Sequence, residues 1–372
     1  MITVREAQST KDRKIFVDLP FQIYKDNPYW VPPIKKNELQ SFDPSNDIFK
    51  TVHAKFLLAY NGNKVVGRVV AIINTVEINE LKKNKVRFGW LDYEDDIEIL
   101  KALLLEVEKF GKQHQVEYME GPMGFSNMDK AGMLTDGFTS RATMIGIYNH
   151  SYYPKHLSEL GFVPEAEWLE YKFGFDEIEI GKSKKLTDLI EKRYNVSNYY
   201  FKTIEDLMPY VDEMFDLLNK TYADLQSFVP IEPFQVEHYK KKYLKFIHPD
   251  FISCVKDAEG KMIAFAITMP SFSKAFQKAN GSLLPFGWWH LMQATKKNDH
   301  AEFYLIGIDP EYQNKGINAL IFKQLHENFE RRGIKTVETN PLLEENTKIQ
   351  QLWSKFNPVI HKRRKTFRKD LI

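Results

Sequence analysis

The sequence contains a single cysteine, Cys254, among 372 residues. One thiol cannot close an internal disulfide, so oxidative stapling is excluded and a reducing compartment is expected. Cys254 lies between Ser253 and Val255 in an apolar run with no base nearby, so it reads as buried and inert. An excess of one charge is also missing. The net charge of +2 sets up no strong field toward nucleic acid or anionic lipid, and neither is expected as a partner. The nearest thing to a basic cluster is Lys362, Arg363, Arg364 and Lys365, running on to Arg368 and Lys369, which reads as a final edge strand kept unpaired by its cations. Long apolar runs are absent. Leu283 to Trp289 is among the most apolar stretches, yet it contains Pro285 and Gly287 and is too short to span a bilayer. Met1 to Ala7 reads as a strand without a positive-then-apolar leader, and a cytoplasmic location is expected. The histidines show no HExxH spacing and no cysteine set, so no metal is expected.

The chain is longer than one hydrophobic core usually serves, so two domains are expected. Aromatic residues, at 14%, favour large cores or apolar grooves. The C-terminal half shows the clearer order of elements. Asn198 to Thr203 reads as a strand, Glu205 to Leu225 as an amphipathic helix, and a short helix follows Pro233. Asp250 to Lys256 and Met262 to Met269 form a hairpin, and Ala301 to Ile308 is a strand stopped by Asp309-Pro310. A helix from Ile317 to Arg332 ends at Gly333. Lys335 to Thr339, Glu344 to Phe356 and His361 to Leu371 read as strand, helix and strand.

The N-terminal half repeats this order. Its strands are Ile2 to Glu6, a hairpin of Ala54 to Tyr60 with Lys64 to Ile73, and Val86 to Leu91. A helix from Asp96 to Phe110, a strand from Val116 to Glu120, a helix from Tyr153 to Leu160 and a strand from Trp168 to Phe175 complete it. Internal duplication accounts for the pattern. The boundary is expected in the charged stretch from Glu177 to Lys192, which contains Gly181-Lys182-Ser183.

The most informative segment is Glu302 to Ala319, EFYLIGIDPEYQNKGINA. A strand ends at a proline, and a short turn with Gln313, Lys315 and Gly316 leads into a helix. Such a turn exposes backbone N–H groups at the positive end of the helix dipole, which suits a pyrophosphate. Gly316 lets the backbone approach the anion and Lys315 adds charge.

At this segment the sequence resembles the GNAT acyltransferase superfamily. Gln313, Asn314, Lys315, Gly316 and Ile317 match its phosphate-loop pattern, with Asn318 standing where Gly or Ala is usual. Tyr29 to Pro33, Gly121 to Phe125 and Tyr148 to Tyr153 also resemble a bacterial group of tandem GNAT-type proteins. The resemblance implies an α/β (α+β) fold of two GNAT domains in tandem, each a mixed, mostly antiparallel sheet flanked by helices. The expected division is a degenerate domain at 1–176, a linker at 177–197 and an acyl-CoA-binding domain at 198–372. The implied cofactor is acetyl-CoA or another acyl-CoA, and the implied reaction is direct acyl transfer to a primary amine.

The resemblance places pyrophosphate contacts on Gln313, Asn314, Lys315, Gly316, Ile317 and Asn318. Strand Tyr304 to Ile308, with Ile306, Gly307 and Ile308, would take up the pantetheine, and Asn346 joins the cofactor contacts. Glu302 occupies the place of the general-base glutamate in lysine-acetylating members. Removing a proton from the ammonium makes the acceptor a nucleophile. The alternative is a solvated glutamate beside His300 at a strand start. A tyrosine that often protonates the leaving thiolate would fall at 353, where this chain has Trp353, so Tyr304 and Tyr312 stand as substitutes.

Asp92-Tyr93-Glu94-Asp95-Asp96 occupies the phosphate-loop position of the N-terminal half. Four acids and no glycine repel a pyrophosphate and merely cap a helix, so this half is expected not to bind CoA. Two further segments have open readings. Ser271 to Thr295 is an apolar wall for the acceptor or acyl chain, or else interdomain packing. Gly121 to Phe138, with Gly124, Gly132, Gly137, Asn127 and Asp129, is a loop over the acceptor or a structural turn; it lacks the ending of a nucleotide P-loop. The acceptor is a small-molecule or peptide amine, and the oligomeric state is left open. A non-catalytic acyl-CoA-binding protein that kept the fold is the rival reading.

Overall fold

The computed structural model describes residues 1–126, 129–175, 183–223, 230–243 and 246–371. Asn127, the first residues of the expected boundary at 177–182 (Gly181 and Lys182 among them) and the expected helix end at Leu225 lie outside them. The chain divides into two compact units built from interleaved stretches. The first comprises Met1–Leu169, Ser273–His290 and His361–Ile372; the second comprises Glu170–Phe272 and Leu291–Ile360.

In the first unit Ile2–Glu6, Val52–Asn61, Lys64–Asn74 and Lys85–Tyr93 pair antiparallel in that order. Lys85–Tyr93 then pairs in parallel with Tyr118–Gly121. Tyr118–Gly121 pairs next with Phe367 to Asp370 of the C-terminal strand, whose Arg363 to Lys365 also pair with Met133–Asp136. Each face carries an apolar core. Helix Ile97–Gln113 buries Leu100, Leu103, Leu104 and Val107 on one side, at the helical spacing the sequence shows. Phe16, Phe42, Phe56 and Phe125 pack on the other.

Helix Thr10–Ile23 was not legible from the sequence because Pro20 sits inside it. Ser9 and Asp12 form a capping box at its start. Pro20 has no N–H for the Phe16 carbonyl, and Arg68 Nη1 donates to that oxygen at 2.7 Å instead. The lost backbone bond is replaced by a buried guanidinium.

In the second unit the sheet runs Val196–Asn198, Ile252–Asp257, Met262–Pro270, His300–Ile308 and Thr336–Thr339, with Lys172 to Gly174 antiparallel to the last. The expected strand from Asn198 to Thr203 is shorter and earlier, because Thr203 caps the next helix. The expected single helix from Glu205 is broken into Ile204–Leu207, a tight turn Met208–Tyr210 at Pro209, and Val211–Tyr222. Helix Asn318–Arg332 buries Leu320, Ile321, Leu325 and Phe329 and ends at Gly333, whose φ of 71° is the left-handed conformation that closes helices.

Two expectations about the basic strand are corrected. Val359–Asp370 is not an edge strand: it is paired on Tyr118–Gly121 and Met133–Asp136, and Lys362 and Arg364 are fully buried. It also completes the sheet of the first unit, whereas its place in the sequence suggested the second. Arg363 and Lys365 bond Glu167 at 2.7 and 2.9 Å, which holds that carboxyl below its usual range despite burial. The glycine-rich stretch is built into the fold as well. Gly132 and Gly137 adopt φ of 72° and 83°, and a Cβ on Gly137 would lie 2.3 Å from the His361 carbonyl oxygen. Cys254 is buried, and burial pushes its thiol up to about 12, as its surroundings in the sequence suggested.

Candidate active site

Strand His300–Ile308 organises the candidate site in the second unit. It pairs in parallel with Thr336–Thr339 from His300 to Phe303, and the Asn340 amide donates to the Phe303 carbonyl at 2.9 Å. Beyond that point only Met262–Pro270 pairs with it among the described residues, so Tyr304 to Ile308 splay from the neighbouring strand. The register on Met262–Pro270 slips between Ile267 and Thr268, which face Leu305 and Phe303. Tyr304 is the extra residue of a bulge, a device that re-aims side chains beside sites. Gly307 is needed here, because a Cβ would lie 2.7 Å from the Phe265 ring. Tyr222 donates its hydroxyl to the Ile306 carbonyl at 3.1 Å.

Glu302 is 1% exposed. Burial and the neighbouring Glu338 raise its pKa, against the pull of hydrogen bonds from Ser271 and Tyr304. The Tyr304 hydroxyl donates to Glu302 Oε2 at 2.8 Å. Glu302 therefore is not a solvated strand-start residue. His300 lies on Glu338 and Thr336, its Nε2 3.3 Å from Glu338 Oε2 and its Nδ1 2.7 Å from Thr336 Oγ1. Glu338 and Ser271 were not singled out from the sequence. The alternation Thr336, Glu338 about buried Val337 was the signal that could have found Glu338.

After the strand, Asp309 accepts both bonds of Lys220 Nζ at 2.9 Å and caps the turn Pro310–Tyr312. Burial would raise the Asp309 carboxyl, but the Lys220 bonds and the Glu311 amide hold it below its ordinary value. Gln313 Nε2 donates to the Ile308 carbonyl at 3.1 Å and ties the turn to the strand end. Asn314 and Gly316 take φ of 61° and 80° before helix Asn318–Arg332 begins. The amides of Asn314, Lys315, Gly316, Ile317 and Asn318 donate to no protein acceptor among the described residues. Amides at a helix start suit an anion, and the Cβ that Gly316 lacks would face the Ile190 side chain, 3.2 Å away. Lys315 is exposed beside this turn, with Nζ 5.0 Å from the Tyr312 ring centre. These residues fit the pyrophosphate of a CoA thioester.

The structure brings Glu302 and Tyr304 together and puts Gln313 to Asn318 on one turn. Asn346 caps helix Thr347–Trp353, its side chain accepting the Ile349 amide. Trp353 is buried among Phe173, Phe303, Phe322 and Phe356, with ring centres 4.8 to 6.0 Å away. It is a core residue.

The first unit repeats the frame and changes the chemistry. Lys85–Tyr93 also bulges, with Val70 facing Gly89 and Arg68 facing Asp92. Its third parallel pair is Arg87 with Glu120, where the second unit has Glu302 with Glu338. Arg87 donates Nε to Glu77 Oε2 at 2.7 Å and is 1% exposed. Asp92 accepts from Tyr24 and Arg68, both at 2.8 Å, and Asp96 caps helix Ile97–Gln113. The acids after this strand are fixed by internal partners.

The acetyltransferase (GNAT) family matches residues 211–357. The chain is 26% identical over 378 residues to Protein YghO of Escherichia coli, covering 99% of this chain and 95% of that protein. It is 22% identical over 319 residues to a protein of Caulobacter vibrioides named bacterial ceramide synthase, covering 84% of this chain and 82% of that one. A tandem GNAT protein from the clavulanic acid biosynthesis pathway superposes with a TM-score of 0.57 at 10% identity, over 100% of this chain and 99% of its own. At that identity the likeness is one of fold. Residues 211–357 match the acetyltransferase (GNAT) family, and over its whole length the chain shares the fold of that tandem GNAT protein.

Proposed function

We propose that the second unit is an acyl-CoA-dependent N-acyltransferase. The observation that carries this reading is the pairing of a buried, hydrogen-bonded Glu302 at the splay with five undirected amides at the adjoining helix start. A bound acyl-CoA supplies the thioester whose carbonyl an amine attacks, forming C–N and breaking C–S. The amides of Asn314 to Asn318 hold the pyrophosphate, and backbone groups between Tyr304 and Ile308, beyond the last parallel pair at Phe303, meet the pantetheine. Glu302 accepts the proton of the acceptor ammonium, directly or through one water. Its raised pKa brings its proton affinity closer to that of the amine. Tyr304, bonded to Glu302, is the nearest hydroxyl for the leaving thiolate.

Acetyl-CoA is the first donor to examine. The relative named a ceramide synthase adds long-chain acyl donors and lipid amines to the panel. Calorimetric titration with acetyl-CoA and a long-chain acyl-CoA, followed by thiol release over a panel of amines, tests the reading. Binding by the parent protein, lost in Gly316→Asp at unchanged melting temperature, supports the cradle. Absence of binding at millimolar ligand overturns the reading. Binding without thiol release from any amine leaves a non-catalytic acyl-CoA binder, which the core position of Trp353 favours as the second reading.

A further inference from the structure

We propose that the turn and helix start at residues 282–289 dock this protein on an anionic lipid bilayer surface. Four large apolar side chains stand in water within six residues: Leu284 is 76% exposed, Phe286 69%, Trp288 50% and Trp289 45%. Among the described residues, other exposed large apolar side chains occur singly or in the pairs Leu186–Leu189, Tyr199–Tyr200 and Val359–Ile360. Of the six tryptophans, only these two are exposed. Isolated exposed apolar residues are ordinary, whereas a contiguous cluster marks an interaction surface.

The cluster projects from a braced base within the first unit. Gln277 Nε2 donates to the carbonyls of Pro28 and Trp30 at 2.8 and 2.9 Å, and Ser273 Oγ donates to that of Ala142 at 2.9 Å. The Lys35 amide donates to the Gly281 carbonyl at 2.9 Å, and a Cβ on Gly281 would lie 2.6 Å from the Phe21 ring. The tip is fastened too: the Trp288 amide donates to the Leu283 carbonyl and Trp288 Nε1 to that of Pro285, both at 2.9 Å. These bonds hold the apolar side chains outward.

The charge around the tip decides the occupant. From Ser273 to His290, the stretch that belongs to the first unit, the sequence has Lys274 and Lys278 and no Asp or Glu. Both lysines are exposed, and neither has an ion-pair partner among the described residues. The chain as a whole is nearly balanced, so this local excess is not a general property. The expectation of no lipid partner came from net charge, which averages such a patch away. Tryptophan with lysine is the pairing of a bilayer interface, where the ring sits at headgroup level and the ammonium meets anionic phosphate. A second copy docking by the same patch would set like charges against each other. No helix among the described residues is long and apolar enough to cross a membrane, so attachment is to the surface.

The test needs no acyl-CoA and reads independently of acyl transfer. The full chain is sedimented with vesicles of phosphatidylcholine alone or mixed with phosphatidylglycerol. The expected result is partition onto the mixed vesicles, weakened by salt, and reduced about tenfold or more in Phe286→Glu/Trp288→Glu. Lys274→Glu/Lys278→Glu weakens partition several-fold and flattens its salt dependence, at roughly the contribution of juxtamembrane lysines. Brominated lipid quenches the fluorescence of the parent protein, and Trp288→Ala/Trp289→Ala loses that quenching; this reading does not depend on the fold of the charged variant. Failure of the parent to partition onto mixed vesicles overturns the proposal. So does equal partition of Phe286→Glu/Trp288→Glu, or a dimer in velocity sedimentation that this variant abolishes without any vesicle binding by the parent.

Discussion

Glu302 and Glu338 stand opposite each other on adjacent parallel strands, both nearly excluded from water. Side chains at paired positions of parallel strands leave the sheet on the same side, so each carboxyl feels the other's charge. In the first unit the same register position holds Arg87 opposite Glu120. A duplicated frame thus presents a carboxyl with raised proton affinity in one copy and a buried ion pair in the other. Only the Glu302 arrangement offers a base.

Replacing Glu302 separates its chemistry from its cost to the fold. Its folded pKa is raised, so the folded state binds more protons than the unfolded chain between the two values, and stability falls as pH rises through that window. Glu302→Gln removes the titration while keeping the shape and one donor–acceptor set. The expected outcome is a higher melting temperature than the parent at pH 8, converging toward the parent as pH drops below 4.5. Turnover falls by about 10²- to 10⁴-fold, the range for general bases. Undiminished turnover would remove Glu302 from the mechanism.

Tyr304 is tested by Tyr304→Phe. Its hydroxyl bond lowers the Glu302 pKa, so loss of the bond raises it further. The acid limb of the kcat/KM profile is expected to move to higher pH. If Tyr304 also protonates the thiolate, kcat falls across the whole profile in addition. A shift of the limb alone identifies a positioning residue.

Trp353 separates packing from catalysis. Its ring is boxed by Phe173, Phe303, Phe322 and Phe356, and Trp353→Ala is expected to cost about 3–5 kcal/mol in denaturant unfolding. Trp353→Tyr brings no gain in turnover, because a hydroxyl placed there faces core aromatics.

The parts of this molecule that were legible in the sequence are the local ones. A strand ending in Pro310, a glycine at 316 and an apolar face on Leu320, Ile321, Leu325 and Phe329 each carry their meaning in neighbouring residues. The pairing of distant strands does not. Trp168 to Phe175 and His361 to Leu371 look alike in pattern, and nothing local says that the C-terminal strand completes the first unit. The cations Lys362 and Arg364 were read as edge residues because a buried partner such as the Ile147 carbonyl, bonded to Arg364, is remote in sequence. Glu302 was legible by position, but its burial and its companion Glu338 depend on strand register. Helix Thr10–Ile23 was hidden by Pro20, whose defect is repaired by Arg68, far along the chain.

The ion cluster that replaces the base in the first unit makes its own prediction. Burial alone would raise the Glu77 carboxyl, but Arg87 at 2.7 Å and Lys85 at 3.2 Å outweigh it and hold it at about 2, against 4.5 ordinarily. Lys85 also bonds Glu120 at 2.6 Å, so two carboxylates and two cations share one buried site. A depressed carboxyl contributes stability that is fully present above pH 4.5 and lost as pH falls toward 2. That contribution is about 3 kcal/mol on the linkage relation. Glu77→Ala strands Arg87 in a site that admits almost no water, which costs about 3–5 kcal/mol at neutral pH. Urea unfolding of the parent from pH 7 to pH 2.5 is expected to show stability falling below pH 4.5, and Glu77→Ala is expected to be less stable at pH 7 with a shallower fall. The double variant Glu77→Leu/Arg87→Met recovers much of the loss, since an apolar pair of similar volume leaves no unpaired charge. Equal slopes in parent and Glu77→Ala would show that the acid sensitivity arises elsewhere in the protein.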